Sequence, residues 1–524
     1  MNSNSRDPSA PFAVASASAG RGSGVQGIIE QRSIDYVPWS ERHGKVWHQG
    51  PFWFTSNFVL VALATGFTGP LAGLGLGWTA IAVLLGAGIG TFFMAFHANQ
   101  GPGLGVPQMI QSRAQFGTRG VLVALLPALV VYIGLNVFNM AMATQGLKSA
   151  GAGGSDWLWY VGIVTAQASI AIIGYDMLHF VQRWLTYFLV VAFAVLSVGS
   201  IIVLGGSAAL TMGAFNAVAF FAQFVAVAGL QISFAVYVSD YTRYLPANTR
   251  LGPLVLWTYS GAALSVVWLA ILGALFALHL KDGANVTSVL TAGNMIAPGF
   301  GTLVMVLSSI ALLTVVSVNT YGATLVTLTA VDGFRPIRLS RTTRVVVTLL
   351  VSAVTLLLAL MVPQRYQGVF NDLLTLILYF LVPWSAINLV DYYWVRRGRY
   401  SVVEIFNNRS SMYGRWGWRG LTAYLLGFLA MVPFFALPFY TGPAARALHG
   451  VDISIVFGLV VSGLSYFVLA RSLDLEAEEA ARRASLAALE PETALHLPPT
   501  HAPERDRFAE AGAGAAARPK PVTG

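Results

Sequence analysis

Cysteine is absent from this 524-residue chain, so disulfides, thiolate zinc sites, iron–sulfur clusters and cysteine nucleophiles are excluded. Charge is scarce as well: Asp, Glu, Lys and Arg make up 10% of the residues, against roughly 25% in soluble globular proteins. That balance excludes a soluble enzyme. Carboxylates are almost missing from the interior of the apolar stretches. Asp176, Asp240, Asp332, Asp372 and Asp391 fall at stretch ends, where a carboxylate caps a helix or faces water, so no carboxylate relay through a bilayer centre is expected. The eight histidines lie in loops or at stretch ends and leave no facing pair for a haem. No cluster of Asp, Glu or His sits within a stretch to support metal or acid–base chemistry. The sequence predicts no enzyme, no resident metal and no cofactor.

What is present is apolar, 56% of the chain. A transmembrane helix needs roughly 20 mostly apolar residues to cross about 30 Å of hydrocarbon, because lipid offers the backbone no other hydrogen-bond partners. Twelve stretches qualify, numbered here as segments 1 to 12. They are 50–69, 77–97, 120–147, 157–178, 184–205, 215–238, 253–279, 299–331, 345–362, 370–394, 420–440 and 451–470. The fold class expected is an all-α integral membrane protein with twelve transmembrane helices.

Basic residues resist translocation, so their loops report orientation. Of the 31 Lys and Arg, 27 fall on one side of this alternation and four on the other: Lys148, Lys281, Arg365 and Arg446. The asymmetry predicts a multi-pass protein of the plasma (inner) membrane with both termini in the cytoplasm. It also accounts for the net charge of +9 without a nucleic-acid partner, since no compact basic domain exists. No cleavable signal peptide is expected, because no apolar core precedes the first full span. Residues 1–33 and 472–524 read as cytoplasmic tails, mostly disordered, around a transporter domain at 34–471. Within the second tail, Ser472 to Glu490 has the composition of a polar surface helix, with Glu476, Glu478, Glu479, Arg482 and Arg483 placed to pair along its face.

Neutral polar residues recur inside the spans. In segment 3, Tyr132, Asn136, Asn139 and Ala143 follow helical spacing and put a ring and two amides on one face. Such amides either bind a neighbouring helix or read a heterocycle. Segment 6 carries Gln223, Gln231, Ser233 and Phe234 around Gly229, and segment 8 carries Thr314, Ser317, Asn319, Thr320, Tyr321 and Thr324. Segment 1 holds Thr55, Ser56 and Asn57 early in its run, and segment 6 has Gly229-Leu230-Gln231-Ile232-Ser233 in mid-run. Both have the look of interrupted helices, which meet at the substrate site in transporters built from inverted repeats.

Several motifs carry a family resemblance. HANQGPGLGVPQMIQSRAQFG from His97 to Gly117, GYDMLHFVQRWLTY from Gly174, SDYTRYLP from Ser239 and YFLVPWSAINLVDYYWVRRGRY from Tyr379 to Tyr400 resemble, in order and spacing, the purine-cytosine permease branch of the nucleobase:cation symporter family. The resemblance runs from about Ile34 to about Arg471. It implies a LeuT-type fold: two inverted repeats of five helices, about 50–205 and 215–394, plus two peripheral helices at about 420–470. It implies alternating access for a nucleobase-like substrate. Carried over by motif, the substrate-binding positions are Ser56 and Asn57 in segment 1, Tyr132 and Asn136 in segment 3, Gln231 and Phe234 in segment 6, and Asn319 in segment 8.

The physical fit is direct, since rings stack on the face of a base while amides offer its edge both a donor and an acceptor. The function expected is cation-coupled import of a purine, pyrimidine or related heterocycle such as allantoin or hydantoin. The alternatives are a carrier of the same fold for a vitamin or amino acid, or a non-transporting membrane receptor. The coupling ion is a proton or sodium. Val318, where sodium-coupled relatives carry a hydroxyl, favours the proton. Oligomeric state stays open.

Overall fold

The computed structural model describes residues 34–491, apart from 174, 282, 336, 338, 339, 363–366 and 409. The two tails at 1–33 and 492–524, residues Arg338 and Arg365, and the side chains of Asp176, His179 and Arg183 lie outside that description. The described chain is mostly helical. Among the described residues, nine helices are long and apolar enough to cross a membrane, or ten if the bent pair in segment 1 is one span.

Segments 2 to 5 form helices Leu76–Ala98, Leu122–Ser149, Asp156–Ile173 and Tyr175–Val203. Segments 6 to 10 centre on Ala217–Ser233, Leu251–His279, Phe300–Phe334, Arg341–Ala359 and Gln367–Val390. Segment 12 is Ser454–Leu469. Segment 11 departs from expectation. Its helix, Trp418–Met431, stops well short of residue 440 because Pro433 and Pro438 cannot continue the i to i−4 ladder. The chain instead makes a 3₁₀ turn at Val432–Phe434 and a small hairpin pairing Ala436–Leu437 with Tyr440–Thr441. A helix at Ser288–Ile296, with no counterpart among the expected elements, joins segments 7 and 8.

Packing orders the bundle. Segment 3 lies along segment 8, the first half of segment 1 packs on segment 7, and segment 6 packs on segment 2. Segment 4 meets segment 8 and segment 9 meets segment 3, while segments 11 and 12 pack on each other and on segment 10. The outward sides of segments 5, 9 and 12 present exposed Val198, Ile202, Leu357 and Leu464, apolar surface suited to lipid tails.

One end of the bundle collects the arginine-rich loops, and buried polar contacts stitch it together. Arg113 reaches Asp332 at 3.0 Å, joining the loop after segment 2 to the end of segment 8. Asp391 was expected to cap a helix or face water. It is instead fully buried, ion-paired with Arg396, and accepts hydrogen bonds from Tyr400, Tyr466 and Gln115. The second carboxylate on Arg396 is Glu478, at 2.7 Å. Glu478 therefore leaves the exposed pairing face expected of it, because the helix Leu475–Leu489 docks on the body and a buried guanidinium needs a second partner. Glu479, Arg482 and Arg483 do pair along that helix.

The N-terminal strap closes the same end. Val37 N–H donates to Gly105 O, and Arg42 donates through Nη1 to Pro102 O and through Nε to Val37 O. Glu490, just past the docked helix, accepts from Tyr36 OH at 2.9 Å and from Trp39 N–H at 2.8 Å.

Candidate functional site

The polar run in segment 1 predicts an interruption, and the chain breaks there. Helix Gln49–Asn57 ends at Phe58, whose φ of −83° and ψ of 63° form an inverse γ-turn closed by Val59 N–H on Asn57 O at 2.9 Å. The next helix starts at Leu60, and the two halves are bent by 64°. Gln223 of segment 6 pins the second half: its Nε2 donates to Thr65 O, and its Oε1 accepts from Gly69 N–H.

Segment 6 breaks one turn later than expected. Gly229 stays helical, and a Cβ on it would lie 2.3 Å from Leu374 O, so this glycine serves a close crossing with segment 10. The interruption comes at the 3₁₀ turn Phe234–Val236 and at Tyr237, with φ −143° and ψ 4°, before a short helix Val238–Thr242.

A cavity lies where these two breaks face segments 3 and 8. Its polar and aromatic lining is Ser56, Asn57, Asn139, Phe234, Tyr237 and Asn319, with Leu135 and Leu230 among the apolar walls. The lining carries no charged side chain. The space is narrow, holding little more than a water molecule, so a planar ring enters only after the walls part.

Of the seven residues singled out by sequence, Ser56, Asn57, Phe234 and Asn319 meet at this cavity. Tyr132, Asn136 and Gln231 do not line it. Asn136 Nδ2 donates to Val316 O and to Thr320 Oγ1, both at 3.0 Å, which ties segment 3 to segment 8. Gln231 Nε2 donates to Thr91 Oγ1 at 2.8 Å and Ala262 O at 2.9 Å, bridging segments 2 and 7. Tyr132 stands behind the lining, its ring centroid 5.3 Å from that of Tyr237.

Two lining residues were missed as site residues, Asn139 and Tyr237. Asn139 belonged to the segment 3 stripe, but helix rotation of about 100° per residue puts it about 60° round from Asn136. The cavity faces the Leu135–Asn139 side. Tyr237 lies three residues beyond Phe234, a signal visible only once the break is located.

The polar groups here are short of partners. Asn57 Nδ2 is held by Trp53 O at 3.2 Å, which leaves Oδ1 buried and unpaired. Asn139 and Asn319 are 1% and 2% exposed, and Asn139 Oδ1 is buried without a partner among the described residues. Each unmade buried hydrogen bond costs about 1–3 kcal/mol, which a complementary ligand can recover.

A neutral, ring-walled, amide-lined cavity between two broken helices agrees with what related proteins are. Residues 36–458 match the family described as permease for cytosine/purines, uracil, thiamine, allantoin. The chain belongs to that permease family. The putative purine-cytosine permease YxlA of Bacillus subtilis is 35% identical over 448 residues, which is 84% of this chain and 96% of the relative. The purine-cytosine permease fcyB of Emericella nidulans is 26% identical over 461 residues, 84% of this permease and 88% of the relative. Among solved structures, Mhp1, a nucleobase-cation-symport-1 family transporter in a closed conformation with bromovinylhydantoin bound, shares the fold. It matches with a TM-score of 0.68 and 18% identity, covering 86% of this permease and 99% of Mhp1. This permease is thus an all-α membrane transporter.

Proposed function

We propose that this permease imports a neutral purine or pyrimidine base, or a related planar heterocycle, by cation-coupled alternating access. The observation that carries the reading is the uncharged cavity at the crossing of the two helix breaks. A zwitterionic amino acid would leave its charges there without a counter-charge, and a permanent cation would lack a carboxylate. The family membership and the curated relatives named as purine-cytosine permeases support the same substrate class.

The reading extends to architecture: twelve spans, ten of them in two inverted repeats and two peripheral, in the plasma membrane with both termini cytoplasmic. Its support lies in pairings that recur on a shift of five segments. Segment 1 on 7 becomes 6 on 2, and segment 8 on 4 becomes 3 on 9. The two broken helices, 1 and 6, are themselves related by that shift. Substrate contacts are assigned to Ser56, Asn57, Phe234 and Asn319, with Tyr132 backing the wall. For the coupling ion the proposal is the proton, because Val318 contributes no side-chain oxygen beside Ser317 for a hard cation that needs several.

Purified protein in proteoliposomes should accumulate a labelled base when an inward proton gradient is imposed, and should ignore a sodium gradient. Strict sodium dependence would sink the coupling assignment alone. Absence of both uptake and counterflow with every base tested would sink the transporter reading.

A further inference from the structure

We propose that the start of segment 11 and the end of segment 12 form a binding site for the phosphate headgroup of an anionic phospholipid, held by Arg419 and Arg471 beside an apolar face that takes the acyl chains. The proposal goes beyond the substrate reading above and does not depend on it.

Segment 11 begins at Trp418 and the helix of segment 12 ends at Leu469, so Arg419 and Arg471 stand at the same end of the bundle. Packing of the two segments brings them together. Arg419 Nε donates to Ser472 Oγ at 2.8 Å, and its Nη2 donates to Ser472 O at 2.9 Å. Each guanidinium lies over an exposed ring close to it in sequence, Arg419 over Trp418 at 4.9 Å and Arg471 over Phe467 at 5.6 Å. Further along the same two segments Leu425, Leu429, Leu464 and Val468 are exposed and apolar. Aromatic rings at span ends settle at the level of lipid headgroups, and long basic side chains beside them reach out to water.

Charge selects the headgroup. Arg113 and Arg396, at the same end of the bundle, are buried on carboxylates. Arg419 and Arg471 differ: among the described residues neither forms an ion pair, and the Arg419 side chain bonds only to Ser472. The nearest carboxylate in sequence, Asp474, accepts from Ala477 N–H at 3.0 Å and so caps its own helix. A guanidinium binds phosphate through two parallel N–H bonds, so two such forks beside an apolar face match a phosphodiester whose chains enter the bilayer. A zwitterionic lipid would bring a cation of its own into the same space, and soluble phosphate would leave the apolar face uncovered. Ser472 lies just before the helix Leu475–Leu489, so a headgroup on Arg419 and Arg471 would also brace the start of the element that carries Glu478 to Arg396.

The test titrates purified full-length protein in detergent with phosphatidylglycerol, phosphatidylcholine or inorganic phosphate and follows the thermal melt. Phosphatidylglycerol should raise the melting temperature at lower concentration than phosphatidylcholine, and inorganic phosphate should leave it unchanged. The double variant Arg419→Gln, Arg471→Gln should raise the half-maximal phosphatidylglycerol concentration about thirtyfold, from about fivefold for each guanidinium. Arg471 is exposed, so Arg471→Gln alone should fold normally, and its fivefold change is the readout should the double variant melt early. The pair Arg335→Gln, Arg341→Gln removes the same charge from exposed positions at the same end and should respond as the wild type does. Equal responses to the two lipids, a response to inorganic phosphate matching that to phosphatidylglycerol, or an equal loss in the control pair would each overturn the site. The melt requires no transport, so its outcome is separate from that of the substrate reading.

Discussion

The ring of Tyr132 fills the space that any side chain at position 322 would need. A Cβ built on Gly322 lies 2.4 Å from Tyr132 Cε1 and 2.6 Å from its hydroxyl oxygen. Tyr132 is fully buried and leans on Tyr237, so it cannot retreat without moving the cavity wall. This close approach of segments 3 and 8 is thus permitted by a missing side chain. Gly322→Ala should cost about 1–3 kcal/mol through overpacking and should raise KM for the transported base more than it lowers expression. Wild-type kinetics in Gly322→Ala, measured by uptake into proteoliposomes, would show that the wall is compliant.

Asn136→Ala removes two bonds that hold segment 8 to segment 3. Interhelical hydrogen bonds in membranes average about 0.6 kcal/mol each, so a loss near 1 kcal/mol is expected. A fall of a few degrees in thermal melting in detergent checks this. Transport should decline with the fraction of folded protein.

The strap that crosses the arginine-rich end depends on Gly105. Its φ is +66°, and a Cβ there would lie 2.0 Å from an Arg42 Nη atom. Gly105→Val should therefore both strain the turn, by about 1–3 kcal/mol, and expel Arg42 from its contact with Pro102 O. Equilibrium binding of base in detergent should survive while turnover falls. Equal loss of both would place the turn in support of the cavity rather than of the moving end.

Arg396 neutralises two buried carboxylates, Asp391 and Glu478. Replacing it with methionine leaves both without a counter-charge, and breaking a buried pair in this way costs about 3–5 kcal/mol. Arg396→Met should be strongly destabilised in a thermal melt. The triple change Arg396→Met, Asp391→Asn, Glu478→Gln should recover part of the loss, and no recovery would assign the damage to packing instead.

Much of the architecture is legible in the sequence, for a physical reason: lipid demands long apolar helices, and arginine marks their ends. The break in segment 1 is legible too, because Ser56 and Asn57 are polar in an apolar run. Its counterpart in segment 6 is displaced because the residues that break, Phe234 to Tyr237, are apolar or aromatic and look like ordinary span. Gly229 is the more conspicuous residue in the sequence, yet its role is a close crossing with Leu374. In segment 3 the periodicity isolates the right stripe, but a stripe of amides subtends a wide arc, and only packing decides which edge faces inward. Glu478 reads as a solvated-face residue because its partner, Arg396, lies 82 residues away in sequence. Such long-range pairs leave no local trace.

The contact of Glu490 with Tyr36 and Trp39 means that the first and last described parts of the chain meet at the same spot. A shortened protein ending soon after segment 12 would look like the removal of a floppy appendage. It would instead strip one of the two counter-charges, Glu478, from the buried Arg396 and unfasten the strap over the Gly101–Gly105 turn. Purification tags and fluorescent fusions are therefore better placed beyond residue 491 than grafted close behind the last span, and a mild detergent phenotype in a trimmed protein would reflect the lost clasp rather than the bundle.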